Sequence, residues 1–229
     1  MFVVCNYTAI SKHNNIQAFS RKFLPPQYYK ISFLLKFATT LQYFYFCYMG
    51  EAYQIKDQEA VYFFTFQVVG WADVFSRQIY RDIVTDSFSY CRKNKGMELF
   101  AYVIMTNHVH AIMRSSNGKL SDLVRDFKKH TSKLMLKEIS NNPKESRKEW
   151  LEMIFHYHAK YNKRAGERQL WTHENHAVEL STNEMIDSRL NYIHNNPVRA
   201  GFVAQPEDYL YSSARNYADM ESLIEIDKI

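Results

Sequence analysis

The stretch that decides the fold is Ala101-Tyr-Val-Ile-Met-Thr-Asn-His-Val-His-Ala-Ile-Met113. It is apolar and rich in β-branched residues, and the polar pair Thr106-Asn107 interrupts it, which predicts two strands joined by a tight turn. Because side chains alternate faces along a strand, His108 and His110 are expected on one face, about 7 Å apart. Two neutral imidazoles so placed can hold one divalent metal ion. The alternative is a pair of histidines on a solvated sheet face.

Strand-like and helix-like patterns alternate on both sides of this hairpin. Ser76 and Ser121 are candidate caps for the first two helices. In chain order, the predicted elements are a strand over 60–69, a helix over 76–94, the hairpin over 97–114, a helix over 121–139, a helix and loop within 142–168, a strand over 176–180, and a helix that begins at a capping box over 181–184 and ends at Pro197. This order predicts an α+β fold, a ferredoxin-like split βαβ palm in which helices pack on an antiparallel sheet.

Composition is that of an ordinary soluble domain, with 23% charged and 46% hydrophobic residues among 229. The three cysteines have no metal-binding or disulfide spacing, which favours a cytoplasmic location. The net charge of +5 comes entirely from five basic side chains within residues 1–48, a segment without Asp or Glu. The rest of the chain is electrically balanced, so any nucleic-acid interface must be a local patch.

Residues 1–48 differ in composition from the rest of the chain. They end in an aromatic and apolar stretch over 31–48, which Lys36 and several polar residues interrupt. Such a stretch is marginal for spanning a bilayer and lies too far from the amino end for a signal peptide. We expect translation to start at Met49, with 1–48 outside the fold, 49–229 as one domain, and no membrane partner. A membrane-tethered protein is the alternative.

The helix predicted after residue 181 offers the chemistry that the histidine pair lacks. Tyr192 and Asn196 are four residues apart and therefore share one helical face. The amide oxygen of Asn196 could be a third metal ligand, and Tyr192 could attack phosphorus and form a covalent phosphotyrosine. Alternatively, Tyr192 and Asn196 have only a structural role, in which they pack against neighbouring side chains or cap the end of the helix.

These motifs together resemble a known family. Val103-Ile-Met-Thr-Asn-His-Val-His110, Leu190-Asn-Tyr-Ile-His-Asn-Asn-Pro-Val-Arg-Ala-Gly201 and Tyr209-Leu-Tyr-Ser-Ser-Ala-Arg215 are similar to segments of the single-tyrosine, His-hydrophobic-His transposases. Within these, the chain most resembles the REP-associated tyrosine transposases, relatives of the insertion sequence 200-like group. The resemblance covers roughly residues 50 to 220.

The resemblance implies an enzyme that cleaves and rejoins single-stranded or hairpin DNA. Tyr192 would be the nucleophile of a 5′-phosphotyrosine intermediate, and His108 and His110 would hold Mg²⁺ or Mn²⁺. Asn196 matches the position of the family's third polar ligand, which is Gln in some members. Relatives include both dimers and monomers, so the sequence leaves the oligomeric state open.

A basic stripe on the second predicted helix is a candidate DNA-binding surface. Its members recur at helical spacing and could contact phosphates, although a lysine stripe is most often a solvated face. The stripe consists of Arg125, Lys128, Lys129 and Lys133, with Lys137 beyond it. Nearby, Trp171, His173 and His176 could stack on bases or support the site, although Trp171 fits a core position better.

Two other functions share these residues. A metal-dependent phosphodiesterase would use the histidine pair and leave Tyr192 without a chemical role. A domesticated transposase would bind hairpin DNA without cutting it. The two motifs together favour the transposase.

Overall fold

The computed structural model describes residues 54–162 and 166–229. The predicted leader over 1–48 and the predicted start at Met49 lie outside these ranges. The elements are strands β1 (Tyr62–Gln67), β2 (Met97–Ile104), β3 (His108–Ser115) and β4 (Val178–Glu179), and helices α1 (Gln78–Asn94), α2 (Leu120–Asn141), α3 (Lys148–Lys160), α4 (Asn183–Arg199) and α5 (Ala214–Tyr217). Over the described ranges, no helix is long and apolar enough to cross a membrane.

The four strands form one antiparallel sheet in the order β2-β3-β1-β4. Each crossover, from β1 through α1 to β2 and from β3 through α2 and α3 to β4, skips one strand of the sheet. This is the split βαβ arrangement, and the α+β, ferredoxin-like fold predicted from the sequence is confirmed.

Each face of the sheet packs against its own hydrophobic core. Phe64 and Phe66 of β1 point to the first face, where α1 and α2 cover them. Phe63 points to the second face and packs with Ile193 of α4. Phe100 is the extra residue of a bulge in β2, which lets it face the second core next to Ala101. A sheet buried on both faces explains why β2 is almost continuously apolar and why six of the eight residues of β3 are buried.

The outer edge of β2 is covered by the chain after α4. The N–H of Ile104 donates to the carbonyl of Tyr211 at 2.9 Å. Further along the same edge, Asp227 accepts the N–H of Leu99 on its carboxylate at 2.8 Å, and the N–H of Asp227 donates to the carbonyl of Leu99 at 2.8 Å. Arg92 of α1 fixes this carboxylate with two hydrogen bonds of 3.0 Å. The edge is thereby closed to pairing with other strands.

Ser213 links α4 to the covered edge of β2 through hydrogen bonds. Its buried hydroxyl accepts the N–H of Tyr102 at 3.0 Å and lies 2.9 Å from Nε2 of His194 on α4. The N–H of Ser213 donates to the carbonyl of Tyr102 at 2.9 Å. Two of the motifs quoted above therefore meet in space, and their contact holds α4 on the sheet.

Three predicted helix ends are wrong. Ser76 lies in a 3₁₀ turn before α1, where its hydroxyl donates to the carbonyl of Asp73. Gln58 rather than Ser121 caps α2, because its amide oxygen accepts the N–H of Ser121 at 2.8 Å. Pro197 does not end α4, because the helix continues through it to Arg199. A proline in the last turn removes only one helical N–H, so the helix can absorb it.

Ser213→Ala is expected to lower the free energy of unfolding by about 1–3 kcal/mol, because it leaves the buried Tyr102 N–H without its acceptor. Urea denaturation followed by circular dichroism measures this loss. Ser181→Ala, which removes an exposed hydroxyl, is the matched control and should change stability by less than about 0.5 kcal/mol. Equal stability of the two variants would contradict a fastening role for Ser213.

Candidate active site

The register of β1 and β3 brings the histidine pair onto the second face of the sheet. His110 is paired with Thr65 and His108 with Gln67, so all four side chains point toward the side that α4 covers. The two imidazole centroids are 4.6 Å apart and the ring planes are nearly perpendicular. The shared face that the alternation predicts is therefore present.

Each imidazole is oriented by a hydrogen bond at Nδ1. Nδ1 of His108 lies 2.6 Å from Oδ1 of Asn107, and Nδ1 of His110 lies 2.9 Å from Oγ1 of Thr65. With these nitrogens donating, each Nε2 carries a free lone pair, which is how ligating histidines are usually held. Among the described residues, the buried Nε2 of His110 has no hydrogen-bond partner.

Burial keeps both imidazoles neutral. Desolvation lowers the pKa of His108 from 6.5 to about 4. For His110, desolvation and the neighbouring His108 lower the pKa to about 3. Neutral rings with an unused Nε2 fit a divalent metal ion, which needs deprotonated nitrogen ligands.

Tyr192 packs directly against the pair. Its ring centroid is 5.2 Å from that of His110 and 6.0 Å from that of Phe63, in edge-to-face contacts. All of these side chains line one cavity of about 360 Å³, together with His108. Because α4 crosses the second face of the sheet, it brings the predicted nucleophile to the predicted metal ligands.

Two arginines of α4 that the sequence analysis missed also lie here. Arg189 lines the cavity, and its guanidinium carbon is 5.0 Å from the centre of the Phe63 ring. The guanidinium carbon of Arg199 is 5.6 Å from the centre of the Tyr192 ring. They occupy positions three before and seven after Tyr192, so the helical spacing that pairs Tyr192 with Asn196 could have found them.

Asn196 does not line the cavity in the described part of the chain, although it shares the helix with Tyr192. Gln67 and His176 line it instead. Residues 54–162 and 166–229 contain no group of three His, Cys, Asp or Glu side chains that could bind a metal together. Within those ranges, a third protein ligand would therefore be of another residue type, such as an amide.

The basic stripe is not one continuous cationic surface. Lys128 points its ammonium at the carbonyls of Thr172 and His173, 2.8 and 3.3 Å away, and at the amide oxygen of Asn175. Burial lowers the pKa of Lys128 to about 8. Its charge thus fixes the 172–175 segment against α2, which does not favour the predicted DNA contact.

The other members of the stripe remain on the surface. Arg125 forms ion pairs with Asp122 and Asp126, while Lys129 and Lys133 are exposed. The whole stripe belongs to α2, which packs on the first face of the sheet, so it lies on the side opposite to the histidine pair. Trp171 is a core residue, as expected, and donates from Nε1 to Oγ1 of Thr131 at 3.0 Å.

Comparison with known proteins finds a family model that matches part of this chain. The family model described as "Transposase IS200 like" matches residues 62–153. This match agrees with the resemblance predicted from the sequence, and the matched segment includes the histidine pair. Tyr192 lies beyond it.

Several solved structures are similar to this chain, among them the following two. One is a REP-associated tyrosine transposase bound to a REP hairpin, at 18% identity over 77% of this chain and 93% of that chain, with a TM-score of 0.47. The other is a protein of Deinococcus radiodurans R1 assigned as a transposase, at 19% identity over 64% and 95%, with a TM-score of 0.36. No curated protein matches.

Stability is expected to fall as the pH drops below about 6.5, because the unfolded chain takes up protons there that neutral His110 cannot accept in the fold. His110→Gln should remove about 1–2 kcal/mol of the stability difference between about pH 7.5 and pH 5. Urea denaturation in the presence of EDTA measures both values. His130→Gln, at an exposed position, should leave the difference unchanged. An unaltered difference in His110→Gln would show that burial does not hold this imidazole neutral.

Proposed function

We propose that the protein is a DNA transposase that cleaves and rejoins single-stranded, hairpin-bearing DNA with Tyr192 as its nucleophile. One observation carries this proposal. His108, His110 and Tyr192, from the hairpin and from α4, line a single cavity in which the buried Nε2 of His110 has no partner among the described residues.

The side chains of this cavity suit a phosphodiester. Arg189 supplies positive charge, and Arg199 lies beside the nucleophile's ring. The Tyr192 oxygen would form a bond to phosphorus while the bond from phosphorus to the 3′ oxygen breaks. The phenol gives up its proton and the 3′ oxygen gains one. A 5′-phosphotyrosine and a free 3′-hydroxyl result, so the bond energy is retained for rejoining.

His108 and His110 would hold the divalent ion through their Nε2 atoms, with Asn107 and Thr65 keeping both rings in the required orientation. Bound Mg²⁺ or Mn²⁺ would supply Lewis-acid polarisation of a phosphate oxygen and favour the ionised phenol. The third protein ligand is proposed to be Asn196, one turn from Tyr192. Gln67 is the alternative, since it lines the cavity and pairs with His108 across the sheet.

Tyr192→Phe is expected to abolish cleavage of single-stranded hairpin DNA and the covalent protein–DNA adduct, because phenylalanine has no nucleophilic oxygen. The assay incubates each protein with labelled hairpin DNA and Mn²⁺, then separates boiled products on a denaturing gel. Tyr209→Phe, which removes another phenol near the sheet, is the matched control and should retain the adduct. Cleavage that survives in Tyr192→Phe would indicate a phosphodiesterase, and hairpin binding without cleavage by wild type would indicate a binding module.

Mn²⁺ is expected to raise the melting temperature of the wild-type protein by several degrees, and EDTA should reverse the shift, because a ligand that binds only the folded state stabilises it. His110→Ala should abolish the shift, whereas His130→Ala, at an exposed position, should keep it. Comparison of Asn196→Ala with Gln67→Ala then identifies the third ligand as the residue whose loss weakens the response. A full Mn²⁺ shift in His110→Ala would refute the proposed metal site.

A further inference from the structure

We propose that Trp71 is a base-stacking platform, on which a nucleotide next to the scissile phosphate places its base. This inference rests on the proposed function and adds a substrate-positioning residue to it. Trp71 lines the same cavity as His108 and Tyr192, and its side chain is 66% exposed. An indole that is largely in solvent contributes little to a hydrophobic core, and most of its surface is therefore available to a ligand bound in the cavity.

The backbone at Trp71 is in a strained conformation. Gly70 has φ of 62° and Trp71 has φ of 54°, so two consecutive residues adopt the left-handed region. Glycine does this freely, but for a bulky residue it is a true outlier. Strain of this kind concentrates at functional sites and persists only where the surroundings enforce it.

Asn107 connects this turn to the histidine pair. Its side-chain amide donates to the carbonyl of Trp71 at 3.4 Å, and its Oδ1 lies 2.6 Å from Nδ1 of His108. Its backbone carbonyl accepts the N–H of Val68 at 3.0 Å. One residue of the hairpin turn therefore contacts both a proposed metal ligand and the backbone of Trp71.

A second contact holds the other side of the turn. Arg147 donates from Nη1 to the carbonyl of Asp73 at 3.0 Å and to its carboxylate at 3.1 Å. Arg147 is itself bound to the buried carboxylate of Glu145, which lowers the pKa of that carboxyl to about 2. The backbone that carries Trp71 is thus held on both sides.

The charges around Trp71 favour a negatively charged partner. None of the described residues that line the cavity is acidic, while Arg189 contributes a positive charge. A strand with its phosphate at Tyr192 and its base on the indole would match both features. Aromatic rings bind bases of any sequence in this way, because every base has a π-face.

Binding of single-stranded oligothymidylate of about 12 nucleotides tests this inference. Fluorescence anisotropy is measured in the Tyr192→Phe background, which prevents cleavage. The second probe is an abasic deoxyribose-phosphate strand of the same length, which keeps the phosphates and lacks the bases. Trp71→Gly removes the indole and suits the left-handed turn, and Trp71→Phe restores an aromatic ring. Trp150→Ala, at a 43% exposed position of α3 outside the cavity lining, is the matched control.

Trp71→Gly is expected to weaken oligothymidylate binding roughly tenfold and to leave binding of the abasic strand unchanged. Trp71→Phe should recover most of the affinity, and Trp150→Ala should lose none. Unchanged oligothymidylate binding by Trp71→Gly, or an equal loss with both probes, would overturn the platform and leave the proposed cleavage untouched. Failure of the protein with Trp71 intact to bind oligothymidylate would also overturn the platform, whereas the proposed function is decided separately by the cleavage assay on hairpin DNA.

Discussion

The antiparallel register of β1 and β3 is the constraint on which the candidate site depends. It pairs Thr65 with His110 and Gln67 with His108, and thereby directs four polar side chains to one face of an otherwise apolar sheet. A slip of one residue would turn Val109 toward that face and bury the imidazoles in the opposite core. Large apolar side chains at alternate positions of β1, such as Phe64 and Phe66, make that slip costly, because they fill the first core.

Covering the histidines with α4 has two opposed effects. Burial removes water from His108 and His110, which keeps them neutral and leaves their Nε2 lone pairs available. It also leaves the Nε2 of His110 without a partner in the described part of the chain, a cost that a bound ligand would offset. Burial in the core and the proposed chemistry therefore place opposite demands on His110. Its Nε2 has no hydrogen-bond partner among the described residues at the position where the metal ion would bind.

The sequence predicts the hairpin, the element order and the approach of Tyr192 to the histidines, because periodicity and strong motifs carry that information. The capping box over 181–184 also predicts where α4 begins, although the capping hydroxyl is that of Thr182, which accepts the N–H of Met185, and not that of Ser181. Three features cannot be predicted from the sequence. The pairing of Thr65 with His110 needs a register, the anchoring of Lys128 needs a tertiary contact over 44 residues, and the left-handed turn at Trp71 has no local signal beyond Gly70.

The contact between His194 and Ser213 has a consequence for how the site forms during synthesis. The chain reaches β3 and its histidines first, α4 with Tyr192 later, and the segment that fastens α4 to the edge of β2 last. While the protein is being translated, the histidine pair is therefore made long before its cover. The hydrogen bond between His194 and Ser213 can form only after Ser213 has been translated, so the order of translation separates the proposed metal ligands in time from the completed contacts of the helix that carries Tyr192.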